Sequence, residues 1–187
     1  MDLLRDFILT IVKIESKDLD IILSKFKERT VNKGQFILRK GQVAHQYYFI
    51  KSGGLRFFFG DFYEQTTAWV IFKNEFFTEI CSLNPQVPTR FNIEAIEDTE
   101  LIYIEKEDMD LLYTQFPLLQ EFGRKIWESM SVRMVDIILD YQILSAEQRY
   151  LNFMKTPELV QKISVKDLAS YLGITPNALS RIRKNIK

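Results

Sequence analysis

The spacing of apolar residues changes character along the chain, and each change marks a different kind of element. After Ser16, apolar side chains fall at Leu19, Ile22, Leu23 and Phe26, the i, i+3, i+4, i+7 stripe of an amphipathic helix. This predicts a helical segment over residues 1–28 with Ser16 as an N-cap. From 30 to 105 the pattern shortens. "GQFILRKG", "YYFIKSGGLRFFFGD" and "TTAWVIF" are aromatic and β-branched runs, punctuated by Gly34, Gly41, Gly53–Gly54 and Gly60–Asp61. "FNIEAIEDTELIYI" largely alternates apolar and polar positions. Short strands with regular turn signals predict a compact antiparallel roll or barrel.

Residues 107–142 read as helix again. Leu119, Phe122, Ile126, Met130, Val135, Ile138 and Leu139 supply one apolar face, and Trp127, Met134 and Ile137 widen it. A helix apolar over more than one face needs two partners. One is the roll, and the other is expected to be the same helix of a second chain. Residues 145–187 form a small helical unit, with "SAEQRYLNFM" as one helix, "TPELVQ" as a turn or short helix, and two more helices after it. No internal repeat or low-complexity segment interrupts this order.

The last two helices are the most informative stretch. Ser164 ahead of "VKDLASYL", with Asp167 three residues on, has the form of a capping box. Leu168, Ala169 and Leu172 make its buried stripe, Gly173 can take the left-handed conformation that ends a helix, and Ile174 fills the corner. "TPNALSRIRKNIK" then restarts, with Thr175 as N-cap and Pro176 at the first helical position. Leu179, Ile182 and Ile186 are expected to face the preceding helix. Asn177, Ser180, Arg181 and Lys184 fall on the outer side. A helix, a tight glycine turn and a second helix with hydrogen-bonding side chains near its N-terminus is the arrangement that reads a DNA major groove. Arg matches guanine and Asn matches adenine there, while Lys and helix N-termini hold phosphates.

Charge supports a local anionic partner. The formal net charge is zero, yet residues 162–187 hold six Lys or Arg against one Asp. By itself a basic end is equally a solvated terminus; the caps, the turn and the apolar stripe favour nucleic acid. No window approaches a membrane-spanning length of uncharged apolar residues. "MDLLRDFILTIVKIESKD" lacks the basic and then uninterrupted apolar regions of a signal peptide. The single Cys81 excludes an internal disulfide and suits a reducing, cytoplasmic setting. With one His and one Cys far apart, no catalytic constellation is found, and the chain is not expected to be an enzyme. Acid pairs such as Glu97–Asp98 and Glu105–Glu107 are expected on turns or strand ends. Cys81 is expected as a small packing residue.

"ISVKDLASYLGITPNALSRIRKN" resembles the C-terminal helix-turn-helix of the Crp/Fnr family of bacterial transcription regulators, especially its short Bacteroidetes-type members with an "ASYLGITPxxLSRIRK" signature. The order β-roll, long helix, helix-turn-helix is also that family's. The resemblance implies an α+β chain: a cyclic-nucleotide-binding-like antiparallel β-roll with flanking helices over 1–115, a dimerisation helix over 116–143, and a DNA-binding unit over 144–187. The chain stops at Lys187, so the helix-turn-helix is expected to lack a full wing. Thr175, Asn177, Ala178 and Arg181 match the family's DNA-contacting face, and Lys166, Ser180, Lys184 and Lys187 join them as candidate DNA-binding residues. Phe122, Ile126, Trp127, Met130, Met134 and Ile137 are the candidate dimer interface. Double-stranded DNA and a second copy of the chain are the implied partners, with RNA polymerase added by the resemblance and no membrane.

The same resemblance places the family's phosphate-binding cassette at "NEFFTEICSLNPQVPTRFNIEA". Cyclic-AMP-binding members carry Gly–Glu and then Arg–Ser there. Here Glu79 follows Thr78, and Thr89–Arg90 puts the Arg one place late. In a strand that shift turns a side chain to the opposite face. The candidate pocket is therefore Thr78, Glu79, Thr89 and Arg90, with no cyclic AMP expected in it and a roll filled by its own Phe and Tyr residues. No cofactor is predicted: one Cys cannot hold an iron–sulfur cluster, and a lone His45 or Cys81 is a poor case for haem. Another small-molecule effector stays open. The alternative to a DNA reader is a small-molecule-binding or protein-interaction module.

Overall fold

A computed structural model describes residues 1–60, 64–155 and 162–186. Two short helices, α1 (Asp2–Ile11) and α2 (Ser16–Ser24), lead in. The single helical stretch expected over 1–28 is thus broken. Val12 is extended and, with Ile14, buried, so the chain turns inward between the helices. Ser16 is the first residue of α2 and Glu15 holds the N-cap position, which corrects the expected cap. Residues 27–31 are already strand β1 (Lys27–Val31).

The roll comprises β1, β2 (Phe36–Leu38), β3 (Gln46–Ser52), β4 (Gly54–Gly60), β5 (Gln65–Phe72), β6 (Phe76–Phe77), β7 (Asn92–Ala95) and β8 (Thr99–Glu105). Two antiparallel sheets form it, in the orders β1-β8-β3-β6 and β2-β7-β4-β5. A short helix, α3 (Ile80–Leu83), interrupts the span expected to be all sheet. Gly53 joins β3 to β4 at φ 93°, and a Cβ there would lie 2.4 Å from Thr99 Oγ1, so only glycine fits. Phenylalanine fills the interior: Phe7 meets Phe49 at 5.1 Å, Phe57 meets Phe77 at 5.7 Å and Phe76 meets Phe122 at 5.3 Å between ring centroids.

The β4–β5 ribbon has two distinct faces. Phe57 pairs with Trp69, and its ring contact with Phe77 of the other sheet puts that face inside. Arg56 pairs with Val70 on the outer face, where its guanidinium lies 4.3 Å over the Phe58 ring. A register shift between Phe57 and Phe58 keeps Thr67 on that outer side, and Arg56 Nε donates to its Oγ1 at 2.9 Å.

The expected helix over 107–142 is two helices, α4 (Lys106–Gln115) and α5 (Pro117–Ile143). Phe116 is extended between them because Pro117 disfavours the helical conformation of its predecessor, and Pro117 then opens α5. Phe122 is a correction to the expected dimer face. It is 1% exposed and wedged against Phe7 and Phe76 in the chain's own core, so it offers no surface to a partner.

Helix α6 (Ala146–Met154) starts with a full capping box from Ser145 and Gln148. "TPELVQ" lies outside the described residues. α7 (Val165–Tyr171) is capped by Ser164, whose Oγ accepts the Asp167 N–H at 3.1 Å and donates to Asp167 Oδ2 at 2.6 Å. Gly173 follows at φ 70°, and α8 (Pro176–Asn185) begins at Thr175, whose Oγ1 accepts the Ala178 N–H at 3.2 Å. Tyr150, Ile163, Leu168, Ala169, Leu172 and Leu179 make a second small core, with Ile174 and Ile182 packed on it. Ile186, expected on the buried face, is 38% exposed at the α8 C-cap, where the helix has run past its support.

Candidate nucleic-acid interface

Leu179 anchors α8 in the small core, and the helical repeat then decides what faces out. Asn177, Ser180, Arg181 and Lys184 are exposed, as are Thr175 at the cap and Lys166 on α7; Ala178 is half-buried. Lys187 lies outside the described residues. Arg183, four residues after Leu179, turns inward, with its guanidinium 5.7 Å over the Tyr150 ring. Arg149 ties the unit together. Its NH1 donates to Leu144 O at 2.7 Å, its NH2 to Leu172 O at 3.0 Å, and it lies over Tyr141. Nothing in the local pattern marked Arg149, because its partners are backbone carbonyls brought close only by folding. The outer face of α8 therefore combines an amide, a hydroxyl and two cations beside a capped N-terminus, a set suited to phosphate oxygens and base edges.

The roll's candidate pocket is less coherent. Thr78 Oγ1 donates to Gln46 O at 2.8 Å, and Thr89 Oγ1 accepts the Phe91 N–H at 3.0 Å. Both threonines are buried and engaged in the fold. Glu79 is buried, while Arg90 is exposed. Arg90 sits at a bend ahead of β7, not within a strand, so its outward turn does not come from strand alternation. Its guanidinium lies 5.3 Å over the Phe91 ring. Trp69 packs between the buried Phe57 and Phe91 at 5.6 and 5.3 Å while itself staying 38% exposed. Cys81 is exposed, which corrects the expected packing role, and so is His45. Among the described residues no group of three or more His, Cys, Asp or Glu is placed to hold a metal ion.

On α5, Ile126 packs partly against the core, and Trp127, Met130 and Ile137 are half-buried. Beyond them Val132, Met134, Val135, Ile138, Leu139, Tyr141 and Ile143 are exposed, so the outer half of the helix is apolar and uncovered within the chain.

Residues 28–116 match the family described as cyclic nucleotide-binding domain. The chain is 27% identical over 135 residues to the cyclic AMP receptor protein of Thermus thermophilus, covering 71% of this chain and 60% of that protein. It is 26% identical over 100 residues to the transcriptional regulatory protein btr of Bordetella pertussis, covering 47% of this chain and 41% of that one. Residues 28–116 thus carry a cyclic nucleotide-binding domain, and the chain as a whole is similar to bacterial transcription regulators that contain one. The match spans about half the length of these curated relatives. The likeness in fold reaches further along the chain: the regulator CLP of Xanthomonas campestris superposes with a TM-score of 0.68 at 18% identity, covering 92% of this chain and 91% of that one. No helix among the described residues is long and apolar enough to cross a membrane.

Proposed function

We propose that this chain is a DNA-binding transcription regulator of the Crp/Fnr type that works as a homodimer, with one α8 reading each half of a pseudo-palindromic site. One observation carries the reading: on an N-capped helix held down by Leu179, the side chains left facing solvent include Asn177, Ser180, Arg181 and Lys184. Two-fold pairing of the apolar outer half of α5 sets two such helices side by side. The roll is not a cyclic AMP receptor in this reading, which is supported by Glu79 lying buried as the cap of α3 while Arg90 is exposed over Phe91.

The test is capture of genomic fragments by the purified chain, followed by gel shifts of the enriched sequence at several salt concentrations. Enrichment of a two-fold-symmetric sequence, with affinity falling steeply as salt rises, is the expected result. Recovery of no preferred sequence, with no salt-dependent shift, would leave the chain as an interaction or small-molecule-binding module.

A further inference from the structure

β5 is an edge strand, and its exposed backbone groups need partners. Ser170 of α7 supplies them: its Oγ accepts the Thr67 N–H at 2.9 Å and donates to Gln65 O at 3.3 Å. A single hydroxyl thus stands where a neighbouring strand would. Beside it Arg56 is almost fully enclosed. Its Nε and NH1 are bonded to Thr67 Oγ1 and Gln65 Oε1 within the ribbon, at 2.9 and 3.0 Å. Its remaining terminal nitrogen, NH2, lies 3.0 Å from Asp167 Oδ1 of α7, a charge contact whose angles fall short of a hydrogen bond. Lys162 reaches Glu97 at 2.8 Å on the same side, and Val70 adds an apolar contact to the small C-terminal core.

We propose that Arg56 and Asp167, with Ser170, are positioning residues that lock α7 onto the outer face of the β4–β5 ribbon and so set the separation at which two α8 helices read DNA. This rests on the proposed function. α7 and α8 share one core, so wherever α7 is seated, α8 is carried with it. The seat is largely polar, the kind of intrachain interface that opens and closes more readily than an apolar one. The ribbon's other face carries Phe57, buried in the roll's core, with the ring of Trp69 beside it. Arg56 and Phe57 are adjacent on one strand, so a shift of the inner rings moves the outer seat as well.

Asp167→Asn and Ser170→Ala test this, with Asp167→Glu as the conservative control. The first readout is amide exchange. Thr67 should exchange about tenfold faster in Asp167→Asn and Ser170→Ala, while Phe57 stays protected. Unchanged Thr67 exchange in both would sink the lock. The second readout is half-site spacing on synthetic DNA. Two added base pairs rotate one half-site by roughly 70° and should cost the wild type about tenfold in affinity. The two variants should lose that discrimination to within about twofold, and Asp167→Glu should restore it. Folded variants that keep the wild-type spacing preference overturn the positioning role and leave the DNA-reading assignment intact. A wild type that binds no DNA at any spacing overturns that assignment itself, and the positioning role with it.

Discussion

Glu79 accepts the backbone N–H of Cys81 on Oε1 at 3.1 Å, so this buried carboxylate is the cap of α3, and among the described residues no donor faces its Oε2. The family resemblance points to the same side chain as the one that holds a ribose. A carboxylate already bonded to its own helix has less to offer a sugar, and Arg90, turned onto Phe91 at the surface, is not there to balance a phosphate. Cyclic AMP and cyclic GMP are therefore expected to leave the melting temperature unchanged. A ligand at a hundred times its dissociation constant would stabilise the fold by about 2.7 kcal/mol, an effect too large to miss. Glu79→Ala should cost about 0.5–2 kcal/mol by loss of the cap, with or without nucleotide. A nucleotide-dependent shift that vanishes in Glu79→Ala or Arg90→Ala would reverse the assignment.

Two residues of α5 separate core from interface. Met134 is 53% exposed and Phe122 is 1% exposed, though both lie on the helix's apolar surface. Met134→Glu should give monomers by sedimentation with little change in melting. Phe122→Ala should cost about 3–5 kcal/mol of stability through the cavity it leaves, and should not change the oligomeric state of the fraction that stays folded. A wild type that sediments as a monomer at tens of micromolar would remove the dimer from the proposal.

These two side chains also show what a sequence pattern carries. Period alone puts Phe122 and Met134 on one broad apolar face, and it cannot tell which part of that face the roll covers. Local signals were readable because their partners are close in the chain: Ser164 caps the N–H of Asp167, Thr175 that of Ala178, and Gly173 turns between them. Pro117 is an equally local signal: it holds Phe116 extended and so divides the helical span in two. Ser16 had the chemistry of a cap but stands one residue inside α2. The contacts that seat α7 were out of reach. Thr67 and Ser170 are 103 positions apart, and nothing in either window marks the other.

Glu94 brings pH into the same region. Burial raises its carboxyl above the ordinary carboxylate range; Arg56 and Arg39 act against that, and Asp167 adds to it. A carboxylate whose folded value is raised favours the folded state below its unfolded value and loses that contribution as pH rises through the folded one. At neutral pH the half-buried Glu94 is thus a net penalty. Glu94→Gln should melt higher than the wild type at pH 7, and the two should converge near pH 4. A variant that is less stable at pH 7 would mean that the attraction to Arg56 outweighs the burial.

Arg181 and Arg183 are two residues apart and should behave as different kinds of residue. Arg181 is exposed on the outer face of α8, one turn after Asn177, so Arg181→Ala should cost about 1–3 kcal/mol of binding and relax the preference at one base pair per half-site. Lys184 is exposed a further turn from the helix start, where the axis should be leaving the groove. Its loss should weaken binding to all sequences alike and lower the salt slope by about one unit per half-site. Arg183 lies over Tyr150, inside the unit, so Arg183→Ala should lower stability and leave base preference as it was. Binding measured against a panel of single-base variants, at two salt concentrations, separates the three outcomes. If Arg181→Ala stays folded and dimeric and still prefers the wild-type sequence as strongly, α8 is not the element that reads bases.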